Sequence, residues 1–147
     1  MPLNAKIYEF SDYAIEVIHE PAYNLSLDLQ DELVAECTEV SREGFGNSNI
    51  KEEFVRHCIL NSSTTLFARD HKVHLVGYSS NNLEIIGKYY VIYLQATAML
   101  TTFQGKGMRN TLFPIKVLED IRKLENIGVE PCHILLATRT QNRVVPQ

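Results

Sequence analysis

The chain has 147 residues, 45% of them hydrophobic and 22% charged, with a net charge of −4. This predicts one soluble domain over residues 1–147, large enough to bury about two-thirds of its unfolded surface. No run approaches the roughly 18 apolar residues of a membrane helix, Lys6, Glu9 and Asp12 stand where a signal-peptide core would be, and no Lys/Arg cluster offsets the acidic balance; membrane and nucleic-acid partners are therefore not expected, and the cytoplasm is the expected compartment.

In chain order, Tyr13 to His19 alternates as a first strand ended by Glu20-Pro21. From an N-cap at Asp28, Leu29, Leu33, Cys37 and Val40 repeat at helical spacing to about Ser41, and Glu43 to Asn47 closes the helix. Asn49 and Glu52 have capping-box spacing, and Ile50, Phe54, Val55 and Cys58 give a second helix its apolar face. Thr64–Arg69 and Val73–Tyr78 read as a hairpin across Asp70-His71-Lys72, and Ser79 to Lys88 reads as a loop. Residues 89 to 100 are rich in β-branched and aromatic types with one amide and no charge, which predicts a central strand buried on both faces. After Gly107, Leu112, Ile115, Leu118 and Ile121 recur every third residue, so a helix follows, with Pro114 either kinking it or delaying its start. Cys132 to Ala137 reads as a parallel strand returning beside the central one. Three cysteines without a Cys-x-x-Cys spacing predict buried thiols, and His71 and His74 lack a third ligand, so no metal is assigned.

The junction from Thr97 to Arg109 organises the rest. A strand, a turn with Gly105 and Gly107 and a helix start leave backbone N–H groups together at a helix N-terminus, where the helix dipole favours an anion. Glycine removes the Cβ atoms that would hold a phosphate off the backbone. Between Met99 and Leu118, Lys106, Arg109 and Lys116 occur with no acidic residue, so a phosphorylated ligand is expected. Neither a Walker loop nor a dinucleotide fingerprint is present, since Asn110 stands at the third glycine position and no Ser or Thr follows Lys106.

The run Gln104-Gly105-Lys106-Gly107-Met108-Arg109, entered from Met99-Leu100-Thr101, resembles the Gln/Arg-x-x-Gly-x-Gly/Ala acetyl-coenzyme A signature of the GNAT N-acetyltransferase superfamily. Gln104 and Gly107 fit it. Arg109 departs from the small residue that the family prefers, and Thr101 replaces its usual proline. The element order, strand, helix, helix, strand, strand, strand, helix, strand, also resembles that family's mixed α/β fold through its fifth strand, over roughly Tyr13 to Asn142. The last helix and two strands are expected to be missing, so the C-terminal part lies outside the chain, with the cofactor-binding core at about 64–142.

The resemblance implies acetyl-coenzyme A as co-substrate, its pantetheine arm on the backbone of Thr97 and Met99, its pyrophosphate on the N–H groups of Gln104, Gly105, Lys106, Gly107, Met108 and Arg109, and Asn142 beside it. It implies transfer of an acetyl group to an amine of a small molecule or peptide. Asn142 reads equally as a cap or turn residue, and Met99 as a core methionine. The family's usual acid, a tyrosine after the fifth strand, has no counterpart before Gln147, and no catalytic residue is assigned. Asp28, Asp31, Glu32, Glu36, Glu39 and Glu43 suit a cationic acceptor or form one solvated helix face. The alternative function is a non-catalytic acyl-coenzyme A-binding or interaction module, and an exposed strand edge near Cys132–Ala137 suggests a homo-oligomer.

Overall fold

The computed structural model describes residues 5–138. One six-stranded sheet runs in sequence order: β1 (Lys6–Glu9), β2 (Ala14–His19), β3 (Thr64–Arg69), β4 (Leu75–Ile86), β5 (Tyr89–Met99) and β6 (Ile134–Thr138). Its neighbours are antiparallel except for the parallel pair β5 and β6. The helices are α1 (Pro21–Asn24), α2 (Leu27–Phe45), α3 (Glu52–Leu60) and α4 (Met108–Asn126).

Alternation along the strands divides the core in two. Ile18, Phe67, Leu75, Tyr78 and Ala98 pack on one face with Leu25, Leu33, Cys37, Val40, Val55 and Ile59 from the segments of the first three helices. On the other face Ile15, Val17, Leu66, Ala68, Val76 and Met99 meet Met108 and Leu112 of α4.

The strand, helix and hairpin order expected from Tyr13 onward is present, with corrections. The sequence reading missed β1, whose residues are largely exposed and carry little apolar signal; Lys6 and Tyr8 instead donate to the carboxylate of Glu119 on α4. Helix α2 is capped by Ser26, whose hydroxyl accepts from Leu29 N–H, rather than by Asp28, and it runs on to a left-handed Gly46. Asn49 and Glu52 form no capping box, since the N-cap of α3 is Lys51 without a side-chain bond, and Phe54 is exposed.

The larger correction is Ser79 to Lys88, expected as a loop. Strand β4 continues to Ile86, and Gly87 (φ 60°) with Lys88 turns it into β5, pairing Ile86 with Tyr89. The polar run Ser79-Ser80-Asn81 that suggested a loop is fully buried, because its side chains are hydrogen-bonded inside the fold. Ser79 Oγ lies 2.7 Å from Thr97 Oγ1, and Asn81 Nδ2 donates to Asp120 Oδ2 (2.9 Å) and to Lys116 O (3.1 Å). A polar side chain satisfied in this way sits in a core strand at little cost.

Strand β5 lies between two neighbours, but it is not buried on both faces: Tyr89 and Gln95 are exposed. Helix α4 starts directly after Gly107 and continues through Pro114, so no late start occurs. Its buried face is Met108, Leu112, Lys116, Glu119, Asp120 and Leu124; the expected Leu118 is exposed. The residues before β6, Pro131–His133, form a 3-10 turn, and Cys132 is exposed, against the expectation of a buried thiol.

Candidate functional site

Strand β5 ends at Met99, and Thr101–Phe103 makes one 3-10 turn before Gln104. Gly105 (φ 76°) and Gly107 (φ 82°) then take left-handed conformations, and Gly107 is the N-cap of α4. Nothing lies within 4 Å of a Cβ at either glycine, so their outer side is open. Among the described residues, the N–H groups from Gly105 to Asn110 donate to no protein acceptor; the first backbone bond of the helix is Thr111 N–H to Gly107 O. Gln104 differs from the expectation, since its N–H donates to Thr101 O. Asn110, not singled out in the sequence, belongs to the set of bare donors, as any helix has unpaired N–H groups through its first turn.

The turn is clamped to the end of α2. Thr101 donates its N–H and its hydroxyl to the Glu43 carboxylate, the latter at 2.6 Å, and Gln104 Nε2 donates to Gly44 O (2.8 Å) and Met99 O (3.0 Å). Gly44 is fixed by steric contact, because a Cβ there would stand 2.1 Å from Met99 O. Helix α2, the end of β5 and the turn are thereby one rigid unit. Neither Gly44 nor Glu43 carries a local signal for this role, since both partners are more than 50 residues away in sequence.

The β4–β5 ladder gives β5 its shape at this end. Ser79 pairs with Thr97 and Asn81 with Leu94, so β5 carries one extra residue, a bulge at Gln95 and Ala96. Leu100 N–H donates to Val76 O, and alternation then turns the Ala98 backbone toward β4 and that of Thr97 and Met99 away from it. On that outer side β6 pairs only with Tyr90 to Leu94 among the described residues.

Between α2, β5 and the turn lies a cavity of about 280 Å³, lined by Gly44, Phe45, Thr97, Ala98, Met99, Gln104, Gly105 and Arg109. The structure thus brings Thr97, Met99, Gln104, Gly105 and Arg109 together. Lys106 and Gly107 are exposed beyond its wall, and the Lys106 ammonium lies 5.9 Å from the Phe103 ring centre. Met108 is buried under the sheet against Gly77, unlike its exposed neighbours Gly107 and Arg109. Lys116, counted as part of the basic surroundings, is also buried, and its Nζ donates to Ser80 O at 3.3 Å. Burial pulls its ammonium down to about 8, with Asp120 opposing and Arg109 assisting. Asn142 lies outside the described residues. A second cavity, about 130 Å³, lies between α2 and strands β2 and β3; it is lined by none of the expected cofactor-binding residues, but by Glu32 and Glu36 of the acidic set on α2.

The acidic residues of α2 are mostly occupied. Asp31 pairs with Arg56, Glu36 with Arg69, Glu39 with Arg42, and Glu43 holds Thr101. Asp31 and Glu39 stay largely exposed in these pairs, and Glu32 lines the smaller cavity beside Glu36.

The overall fold is also found in solved structures. The chain aligns with an aminoglycoside acetyltransferase from an uncultured soil metagenomic sample, solved with sisomicin, at a TM-score of 0.58 and 14% identity over 88% of this chain and 78% of that one. The chain has the GNAT fold. The GNAT protein AAC(6')-Iy, an aminoglycoside N-acetyltransferase solved with CoA, matches at a TM-score of 0.53 and 12% identity over 97% of this chain and 82% of that one. A GCN5-related glucosamine N-acetyltransferase region of a fungal multi-domain β-N-acetylglucosaminidase matches at 0.57 and 14% over 90% of this chain, which spans 14% of that protein. No protein-family model and no curated protein matches the sequence. Within the GNAT fold, the turn from Gly105 to Asn110 is the entry to the long helix, and no helix among the described residues is long and apolar enough to cross a membrane.

Proposed function

We propose that this chain is an acetyl-coenzyme A-dependent N-acetyltransferase. The observation that carries the reading is the row of unpaired N–H groups from Gly105 to Asn110, on residues that are all exposed except Met108, at the positive end of α4 and beside a cavity that reaches Thr97 and Met99. A pyrophosphate on those donors directs an attached pantetheine arm along the outward-facing backbone of Thr97 and Met99, toward the bulge in β5. The acetyl thioester is then attacked by a neutral amine: the new C–N bond forms, the C–S bond breaks, the amine gives up a proton and the leaving thiolate takes one up. Cytoplasmic location and an amine acceptor belong to the same proposal; sisomicin, bound by one GNAT neighbour, supplies a polyamine acceptor class to test.

One observation favours a second reading. Among the described residues, the only ionisable side chain lining the cavity is that of Arg109, so the cavity itself presents no acid or base. A coenzyme A-binding module without transfer fits that lining. Steady-state release of coenzyme A from acetyl-coenzyme A, measured across a panel of polyamines and aminoglycosides, separates the two. Acceptor-dependent turnover supports the enzyme; binding without turnover on any acceptor leaves the module. The edge strand β6, where Leu135 and Leu136 are exposed among the described residues, is proposed as a self-association edge, and sizing chromatography at two concentrations tests it.

A further inference from the structure

The connection into β6 carries a second set of polar groups, at the other end of β5 from the turn. Tyr90 at the start of β5 pairs with Ile134, whereas the cavity lies at Met99. Pro131–His133 forms a 3-10 turn in which His133 N–H donates to Glu130 O at 2.9 Å and Ile134 N–H to Pro131 O. Pro131 fixes its own φ, and the His133 N–H bond to Glu130 O closes the turn so that Glu130 and His133 are brought near each other. A carboxylate oxygen of Glu130, the Cys132 Sγ and a ring nitrogen of His133 all lie within 4.8 Å of one another. Cys132 Sγ is 3.8 Å from Glu130 Oε2. A thiolate and a carboxylate on one tetrahedral zinc ion, bound at about 2.3 and 2.0 Å, stand about 3.5 Å apart. The three donors are therefore close to ligand spacing before any side chain moves.

The ring of Tyr89 meets the His133 imidazole edge-on, with centroids 6.0 Å apart. Glu130 and Cys132 are exposed and His133 is half-buried, so an ion enters directly from solvent. This mixture of one thiolate, one imidazole and one carboxylate matches borderline cations and not magnesium or calcium, which take oxygen donors.

We propose that the Glu130-Pro131-Cys132-His133 turn binds a zinc-class divalent cation through Glu130, Cys132 and His133, with water in the fourth position. The Cys132 thiol releases its proton to the solvent on binding, and the ion ties the entry of the edge strand β6 to a fixed geometry, stabilising the folded chain.

Cobalt(II), a spectroscopic stand-in for zinc, tests this on the full chain. One equivalent is expected to bind with a thiolate-to-cobalt charge-transfer band, be displaced by zinc, and raise the melting temperature. Cys132→Ser should abolish the band, and both Cys132→Ser and His133→Asn should weaken binding at least about tenfold, since even the loss of a ligand's supporting partner costs 10- to 100-fold. Circular dichroism checks that both variants fold, and their coenzyme A titrations should match the parent chain. The proposal is overturned if binding is not one to one, if the band survives in Cys132→Ser, which would assign it to Cys37 or Cys58, or if His133→Asn binds as tightly as the parent.

Discussion

The two halves of α4 treat polar groups in opposite ways. At its N-terminus, the N–H groups from Gly105 to Asn110 are unpaired among the described residues, and every residue of that run but Met108 is exposed. Two turns further on, Lys116, Glu119 and Asp120 are buried against the sheet and paired with Ser80 O, with Lys6, Tyr8 and His19, and with Thr64 and Asn81. Only Asn81 Oδ1 lacks a partner among the buried side-chain atoms described. Unpaired donors in water cost the fold little and are available to a ligand, whereas a polar group in the core is tolerated only when paired. One stretch therefore leaves its donors open and the other ties its polar groups into the architecture.

Mutations at the two ends should separate cleanly. Asp120→Leu has the largest expected effect on stability, because it strands the Thr64 hydroxyl, the Asn81 amide and the Lys116 charge in the core; a loss of about 3–5 kcal/mol is expected in urea unfolding. Gly44→Ala comes next, at about 1–3 kcal/mol, since the new methyl group overlaps Met99 O and must push α2 off β5. It should also weaken coenzyme A binding by moving the cavity wall. Ser26→Ala removes the cap of α2 and should cost about 1 kcal/mol without touching the cavity.

Lys116→Met sharpens the contrast through pH. Its folded-state value of about 8 lies below the ordinary 10.5, so the unfolded chain holds this proton more tightly. The destabilisation is complete below pH 8 and is relieved as pH rises toward 10.5. Relative to Lys116→Met, the parent should therefore gain stability between about pH 8 and 10.5, read as the difference between paired unfolding curves. The difference between the two proteins is the quantity to follow, because burial raises the Cys37, Cys58 and Tyr78 groups and lowers the stability of both chains above about pH 9.

The sequence made the glycine-turn end of α4 legible and the architectural end obscure. Two glycines between an apolar run and a helical period are local signals, and they place the turn and the start of α4 correctly. The buried face of α4 repeats at helical spacing, but Lys116, Glu119 and Asp120 interrupt its apolar stripe, and their partners come from β1, β2, β3 and β4. The same pairing hid the second half of β4, whose Ser79-Ser80-Asn81 looks like a loop until α4 covers it. Contacts between residues 35 to 113 positions apart leave no periodic trace in a single chain. The clamp of Glu43 and Gly44 on the turn was missed for the same reason.

Coenzyme A titration by calorimetry, comparing the parent chain with Gly107→Asn, bears most directly on the anion turn. Asparagine tolerates the left-handed conformation that Gly107 adopts at φ 82°, and nothing in the protein lies within 4 Å of the new Cβ, so stability should change by only about 1 kcal/mol. The added side chain instead stands on the open side of the turn, where the pyrophosphate is proposed to lie. The parent chain is expected to bind coenzyme A, and Gly107→Asn to bind it about tenfold or more weakly with the fold intact; equal affinity in the two proteins, or no binding by the parent, would contradict the assignment of this turn as the pyrophosphate site.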